Sequence, residues 1–217
     1  MTVQPIKLDI MSDPICPWCF IGKAYLDKAL ADHPNHQFQI EWHPFQLNPD
    51  MPAGGMGRRE YLEGKFGGKD AAVRAYAPVV ESAKTAGVAI DFEGMKRTPN
   101  TINAHRFIHW AGIEGRQTAA VSALFKAYFT DARDIGDVEV LADIADSIEM
   151  DAAVVTRLLG TDEDLAAVRD RDAHSRKMGI NSVPTFIIAN QHAVPGAQPP
   201  ELWAQVIADL AAQTEAS

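Results

Sequence analysis

Cysteine is scarce in this sequence, and long apolar runs are absent. Only two of the 217 residues are cysteine, so the chain lacks the paired cysteines on which a disulfide-stabilised scaffold depends. No apolar run approaches the length of about 20 residues that a transmembrane helix needs. The N-terminal segment MTVQPIKLDIMSD lacks the basic stretch, the apolar core and the small-residue cleavage site of a signal peptide. We therefore expect a cytoplasmic protein that does not enter a membrane.

Positive charge is also in short supply. The chain has 20 lysine and arginine residues against 29 aspartate and glutamate residues, which gives a formal net charge of −9 at pH 7. Nucleic-acid interfaces and surfaces that bind anionic membranes need a dense basic face, so we expect neither kind of partner. Hydrophobic residues make up 47% of the chain and charged residues 23%, which is typical of globular proteins.

Strand patterns occur near the N-terminus. Residues 6–10 (IKLDI) and 37–45 (QFQIEWHPF) alternate apolar and polar side chains, which predicts two strands. Between them, a helical pattern runs from Cys16 to about Ala31. Short connections between a strand, a helix and a strand predict a parallel βαβ unit.

Strand patterns return near the C-terminus. Residues 183–189 (VPTFIIA) are apolar and β-branched, Asn190 and Gln191 form a predicted turn, and HAVPG follows. A helix then opens with prolines at residue 199, as helical first turns often do. The long middle of the chain shows helix patterns and almost no strand patterns.

The two cysteines lie close together as Cys16-Pro17-Trp18-Cys19, at the predicted start of the first helix. Unpaired backbone N–H groups and the helix dipole favour a thiolate at Cys16. Cys19 lies one turn further along and is expected to be less exposed. Pro17 is compatible with the first turn, and Trp18 places a large apolar side chain beside the sulfurs. The arrangement predicts thiol–disulfide exchange, in which Cys16 attacks a disulfide and Cys19 resolves the mixed disulfide.

Motifs along nearly the whole chain resemble one family. CPWC after a strand and before a helix is similar to the thioredoxin superfamily, and SVPTF (182–186) resembles its cis-proline loop. The helical middle of the chain is similar to that of the DsbA-like branch. Four stretches resemble the cytoplasmic FrnE-type subfamily of these oxidoreductases: DPICPWCFIGK (13–23), HPFQLNP (43–49), TPNTINAHR (98–106) and GAQPPE (196–201).

The resemblance implies an α/β fold. We expect a thioredoxin-like βαβ…ββα arrangement with a large all-helical insertion between its two halves. Residues 1–57 and 179–217 would form the thioredoxin-like domain, and residues 58–178 the insertion.

The resemblance also implies positions that contact a substrate. Pro184 would be a cis-proline that turns Val183 towards Cys16, so that Val183 pairs with an extended substrate segment as a short added strand. His105 lies on a predicted helix of the insertion. Its side chain either faces the cysteines or is one of the polar, solvent-facing side chains of that helix.

Some positions depart from the pattern of the related proteins. The dipeptide lacks the histidine of periplasmic DsbA proteins, so Pro17 and Trp18 predict a milder oxidant. Ile10 stands where many superfamily members carry a buried acid. Asp13 and His43 are the candidates for the proton carrier of the resolving cysteine.

A zinc site is one alternative interpretation. Cys16, Cys19, His33 and His36 approach the ligand spacing of a Cys₂His₂ finger. The histidine spacing is one residue shorter than usual, and Pro34 lies within it. We therefore expect no metal at the cysteine pair.

A glutathione-linked isomerase or transferase is the other alternative. The kappa-class transferases and hydroxychromene-carboxylate isomerases resemble this architecture but generally carry serine at the position of Cys16 and lack the second cysteine. The pair in this chain favours a protein disulfide oxidoreductase.

The partners of such an oxidoreductase would be disulfide-containing proteins or glutathione-like thiols, with a separate reductant or oxidant that recycles the pair. No bound cofactor is needed, because the dithiol itself carries two electrons. Oxidation, reduction and isomerisation are alternative directions, since about 30 mV shifts the equilibrium tenfold.

Overall fold

The computed structural model of the protein describes residues 5–215. The strands in this range are β1 (Ile6–Ser12), β2 (Phe38–Pro44), β3 (Met56–Gly57), β4 (Arg97–Thr98), β5 (Thr185–Ile188) and β6 (His192–Pro195). The α-helices are α1 (Pro17–Asp32), α2 (Arg58–Phe66), α3 (Lys69–Ala86), α4 (Ile102–Ile113), α5 (Gln117–Phe125), α6 (Val138–Ser147), α7 (Ala152–Leu159), α8 (Leu165–Lys177) and α9 (Pro200–Glu215). A π-helical turn, Lys126–Thr130, continues α5. Within the described range, no helix combines the length and the apolar character needed to cross a membrane.

Four strands form one sheet in the order β2-β1-β5-β6. β1 and β2 run parallel, in a register that pairs Ile6 with Phe38 and Ser12 with Pro44. β5 lies antiparallel on the other side of β1, and β6 is antiparallel to β5. The parallel βαβ unit and the closing ββα unit that the sequence predicts are therefore confirmed.

The turn between β5 and β6 lies one residue earlier than the sequence suggested. Its central residues are Ala189 (φ 51°) and Asn190 (φ 58°), and the Gln191 N–H donates to the Ile188 carbonyl over 3.0 Å. Two consecutive positive φ angles are typical of the tight turns that join twisted antiparallel strands. Asparagine tolerates this conformation readily, and here it occupies the second central position.

One face of the sheet packs against α9, with α1 alongside. Alternation along β1 sends Leu8 and Ile10 to this face, and neither has any exposed surface. Phe186 of β5 pairs with Ile10 across the sheet. Its ring meets Trp203 of α9 edge to face, with centroids 4.7 Å apart. This packing fixes the end of β1, and with it the position where α1 begins.

Helices α2–α8 lie between the two halves of the sheet in sequence, as expected for a helical insertion. The insertion also contains β4, which pairs with β3 in a two-stranded ladder. Two residues are too few to show an alternating pattern, so this ladder could not be predicted from the sequence. It crosses the boundary expected between residues 57 and 58. The division into two units remains a prediction.

The insertion and the sheet share one hydrophobic core. A continuous cluster of buried side chains includes Leu8 of the sheet and Phe107 of α4. Phe20 of α1 stacks on Phe125 and on Phe129, with ring centroids 5.4 Å apart in both cases. The insertion therefore packs directly against the helix that carries the cysteines.

Candidate active site

The chain places both cysteines at the start of α1, directly after β1. The Cys16 N–H donates to the Asp13 carbonyl over 2.9 Å and closes the turn between strand and helix. Cys16 has extended backbone angles (φ −86°, ψ 114°) and immediately precedes Pro17, the first helical residue. The Cys16 carbonyl accepts hydrogen bonds from the N–H groups of Cys19 (3.1 Å) and Phe20 (3.2 Å). Cys19 therefore lies in the first turn of the helix.

The Cys16 thiol lies against the loop that leads into β5. Its Sγ donates a hydrogen bond to the Val183 carbonyl oxygen over 3.6 Å. The Val183–Pro184 peptide bond is cis, as the sequence resemblance implied. Gly22 permits this close approach, because a Cβ at that position would lie 3.1 Å from Pro184 Cγ. The missing side chain at Gly22 thus helps to set the distance between the loop and the helix.

Cys19 is the more deeply buried thiol, with 1% of its surface exposed against 3% for Cys16. Burial raises the pKa of Cys19 well above its ordinary value, and the neighbouring Cys16 adds to the rise. The Ser12 hydroxyl and the Asp13 backbone N–H approach the sulfur and offset part of this rise. A thiol in this setting stays protonated until a base removes its proton, which agrees with a resolving cysteine better than with an attacking one.

The dipeptide between the cysteines is half-buried. Trp18 packs against a small apolar cluster formed by Ile21, Val79 and Ala83, which joins α1 to α3. Neither Trp18 nor Pro17 carries a charge, so the dipeptide adds no cation that would stabilise a thiolate. Its role in tuning the reduction potential remains a prediction.

Asp13 is wholly buried beside Cys19, with no exposed surface. Its Oδ2 accepts a hydrogen bond from the Leu47 N–H over 2.7 Å. Its Oδ1 lies 3.6 Å from Nε2 of His105. His105 is only 3% exposed, which excludes a position at the tip of a solvent-facing helix surface. α4 instead directs His105 inwards, towards the turn that precedes the cysteines.

His43, the other proton-carrier candidate, has both ring nitrogens engaged elsewhere. Its Nε2 lies 2.5 Å from Asp9 Oδ1, and its Nδ1 lies 3.1 Å from Nη2 of Arg171 in α8. Burial lowers the pKa of His43 from its ordinary value, although the Asp9 carboxylate partly opposes this change. Of the two candidates, Asp13 therefore has the closer contact with the cysteines in this structure.

The zinc alternative is wrong for the four residues that suggested it. Helix α1 has 16 residues, so at 1.5 Å per residue its two ends are about 24 Å apart. Cys16 precedes this helix and His33 follows it, which is several times the span of a zinc site. The ligand spacing that suggested zinc takes no account of the helix predicted between the cysteines and the histidines.

Sequence reasoning missed Arg58, the first residue of α2. Its side chain is buried, and its guanidinium donates to the hydroxyls of Tyr128 (3.0 Å) and Tyr76 (3.2 Å). Burial raises the pKa of Tyr128 to about 12, so this phenol stays neutral. No carboxylate within residues 5–215 forms an ion pair with Arg58. An arginine at the positive end of a helix is unfavourable, but the exposed Arg59 beside it shares that feature, so no sequence signal singles out Arg58.

Comparison with known proteins assigns the chain to a family. The family described as "DSBA-like thioredoxin domain" matches residues 7–208. The chain belongs to this family. It is similar to the solved "probable DsbA oxidoreductase SCO1869" from Streptomyces coelicolor, with 28% identity and a TM-score of 0.84 over 94% of this chain and 89% of that one.

Two further relatives extend the comparison. The uncharacterized protein YwbO of Bacillus subtilis is 26% identical over 94% of this chain and 96% of its own length. The structure of the cytosolic disulfide reductase DsbM from Pseudomonas aeruginosa with GSH has a TM-score of 0.68 at 17% identity, covering 94% of this chain and 98% of that one. At this identity the likeness to DsbM concerns the fold alone. The thioredoxin-like fold with inserted helices is therefore established for this DSBA-like protein.

Proposed function

We propose that this DSBA-like protein catalyses thiol–disulfide exchange, with Cys16 as the nucleophile and Cys19 as the resolving thiol. The observation that carries the proposal is the hydrogen bond of 3.6 Å from the Cys16 thiol to the Val183 carbonyl. It places the Cys16 sulfur against the Val183–Pro184 loop, while the more deeply buried Cys19 lies in the same helical turn. Membership of the DSBA-like family supports this class of reaction.

The exchange begins when the Cys16 thiolate attacks one sulfur of a substrate disulfide. A bond forms between Cys16 and that sulfur, the substrate disulfide breaks, and the other substrate sulfur leaves as a thiolate. Cys19 then loses its proton and attacks the Cys16 sulfur. This step forms the Cys16–Cys19 disulfide and releases the second substrate sulfur. The same steps in reverse transfer a disulfide to a substrate dithiol.

We assign substrate presentation to the loop at Val183 and Pro184. An extended backbone that lies along this loop would form a short added strand, which binds by main-chain groups and tolerates varied side chains. Pro17 and Trp18 form the rest of the rim beside Cys16. Because neither carries a charge, we propose a less oxidising pair than one with a histidine in the dipeptide.

We propose disulfide-containing proteins or glutathione-like thiols as partners, together with a separate reductant or oxidant that recycles the pair. The fold shared with DsbM, solved with GSH, supports a small thiol as one of these partners. We also propose the FrnE-type subfamily and a cytoplasmic location, on the strength of the sequence motifs. The reaction needs no bound cofactor in this proposal.

A glutathione-linked isomerase or transferase is the competing proposal. Such chemistry needs one activated thiol or hydroxyl at the helix start and has no use for Cys19. The raised pKa of Cys19 and its place beside Cys16 instead favour a dithiol. An isomerisation or conjugation activity that survives the substitution Cys19→Ser would favour the competitor.

Equilibration in glutathione redox buffers tests the proposed function. Free thiols are alkylated after equilibration, and mass spectrometry determines the state of the two cysteines. Reduction of insulin disulfides is measured in parallel. We expect a reversible Cys16–Cys19 disulfide and insulin turnover that disappears in Cys16→Ser. The absence of an intramolecular disulfide at every glutathione ratio, or full turnover in Cys16→Ser, would overturn the proposal.

A further inference from the structure

Resolution of the mixed disulfide requires Cys19 to lose a proton inside the protein. Only 1% of its surface is exposed, so bulk water has little access to the sulfur. Ile10 stands where related proteins carry a buried acid, and its side chain has no exposed surface. If the proposed function is correct, another group near Cys19 must accept the proton.

Two buried polar atoms beside the turn between β1 and α1 complete no hydrogen bond among the residues described. They are Oγ of Ser12 and Nε2 of His105. Ser12 is the last residue of β1, and its hydroxyl approaches the Cys19 sulfur. His105 comes from α4, which packs on the sheet from the insertion. Unsatisfied polar atoms are uncommon in protein interiors, so two beside the same turn call for an explanation.

Ser12 and His105 line the same small cavity. Its volume is about 10 Å³, close to the minimum of about 10–15 Å³ that one water molecule needs. Apolar side chains, including Ile108, Val121 and Phe125, form much of the remaining wall. A water molecule at this position can hydrogen-bond to the Ser12 hydroxyl and to the His105 ring. It would therefore satisfy both orphaned atoms at once.

The Asp13 carboxylate completes the arrangement. Its Oδ1 lies 3.6 Å from His105 Nε2, and it has no exposed surface. Within the described range, neither lysine nor arginine forms an ion pair with Asp13, and His105 is its one basic neighbour. The carboxylate therefore faces the same ring nitrogen, Nε2, that completes no hydrogen bond in the described part of the chain.

We propose that Ser12, one water molecule and His105 form the path by which the Cys19 proton leaves during resolution. The thiol gives its proton to the Ser12 oxygen, Ser12 passes its own hydroxyl proton to the water, and the water passes a proton to His105 Nε2. The Cys19 thiolate forms a bond with the Cys16 sulfur, and the bond between Cys16 and the substrate breaks. The departing substrate thiolate takes up a proton from solvent. Asp13 is a positioning residue, since its carboxylate faces His105 Nε2 at 3.6 Å.

Kinetics that separate the two steps test this inference, which rests on the proposed function. A chromogenic aromatic disulfide reports the first thiolate released by Cys16 and then the second thiolate released by Cys19. In His105→Gln we expect attack by Cys16 within about twofold of the wild-type rate. We expect resolution by Cys19 to slow at least tenfold, since a positioned acid–base group typically contributes about 10²–10⁴-fold. Ser12→Ala should slow the same step.

His109 provides a matched control for His105. It lies one turn further along α4, lines the same cavity, and faces Asp164 at 3.9 Å instead of Asp13. His109→Gln should therefore resolve the mixed disulfide at the wild-type rate. If His109→Gln slows resolution as much as His105→Gln does, a specific role for His105 is contradicted.

The pH profile of the resolution step distinguishes proton transfer from packing. Besides Asp13 on the preceding turn, the titratable or charged groups around the cavity are His43 of β2, Arg171 of α8 and His109 of α4. In the wild type, the resolution rate should level off with rising pH, because a group inside the protein accepts the proton. In His105→Gln it should continue to rise with hydroxide concentration.

Two outcomes overturn different claims. Equal slowing of both steps in His105→Gln, or resolution at the wild-type rate, overturns the path through His105 and leaves the proposed function intact. A wild-type protein that releases no second thiolate and forms no Cys16–Cys19 disulfide overturns the proposed function, and the path with it.

Discussion

Replacement of Gly22 by alanine tests whether the contact between α1 and the Val183–Pro184 loop controls exchange. An alanine Cβ at this position would lie 3.1 Å from Pro184 Cγ, 3.3 Å from Ala197 Cα and 3.4 Å from Ala197 Cβ. These distances are shorter than ordinary carbon–carbon contacts, which lie near 3.5–4.0 Å. The loop, the helix or both must therefore move by a few tenths of an ångström.

Two terms of opposite sign determine the change in stability. Alanine in a helix interior is favoured over glycine by about 1 kcal/mol, whereas overpacking at a tight contact costs about 1–3 kcal/mol. The net result for Gly22→Ala should lie between no change and a loss of about 2 kcal/mol in the free energy of unfolding. Because Pro184 is joined to Val183, the same movement should displace the Val183 carbonyl from the Cys16 sulfur and slow exchange.

Gly64 in α2 offers a matched control, since a Cβ there would meet nothing within 4 Å. Gly64→Ala should stabilise the protein by about 0.5–1 kcal/mol and leave exchange unchanged. Chemical denaturation followed by tryptophan fluorescence measures stability, and insulin reduction measures exchange. Equal stabilisation by the two substitutions, with wild-type exchange rates in both, would refute the argument that this contact positions the loop.

Three further predictions follow from burial and charge. Iodoacetamide should label Cys16 before Cys19, because burial raises the pKa of Cys19; mass mapping that finds Cys19 labelled first would reverse their roles. Stability should fall as the pH drops through 6.5, since burial lowers the pKa of His43 from 6.5 and the unfolded chain therefore takes up the proton before the folded one. Denaturation at several pH values should show a shallower fall in His43→Asn, and an identical fall would contradict this. Trp203→Ala should lower the free energy of unfolding by about 3–5 kcal/mol because Trp203 is fully buried; denaturation that shows a loss below about 1 kcal/mol would contradict the packing described.

Features carried by consecutive residues could be predicted from the sequence. Alternation of apolar and polar residues over 6–10 located β1, and short connections located the parallel βαβ unit. The spacing of Cys16 and Cys19 placed both at a helix start, where local hydrogen bonding decides the geometry. These predictions hold because each depends on backbone periodicity alone.

Contacts between distant parts of the chain could not be predicted in the same way. The approach of His105 to Asp13 depends on how α4 packs against the end of β1, which the helical pattern of the insertion does not determine. The phenols around Arg58 come from two other helices. The zinc alternative failed because the helix predicted between Cys16 and His33 holds the cysteines and histidines apart, which ligand spacing alone does not consider.

The most direct test of the central claim is to trap the mixed disulfide. Cys19→Ser removes the resolving thiol and preserves the shape of the site, so a disulfide formed by Cys16 should persist until an external thiol cleaves it. Cys16→Ser is the control with the same change at the other position. We expect intact-mass analysis of Cys19→Ser, purified after exposure to an oxidised protein substrate, to show a covalent adduct that reducing agent releases, and Cys16→Ser to show none. Equal adducts on both variants, or none on Cys19→Ser, would contradict the assignment of Cys16 as nucleophile and Cys19 as resolving thiol.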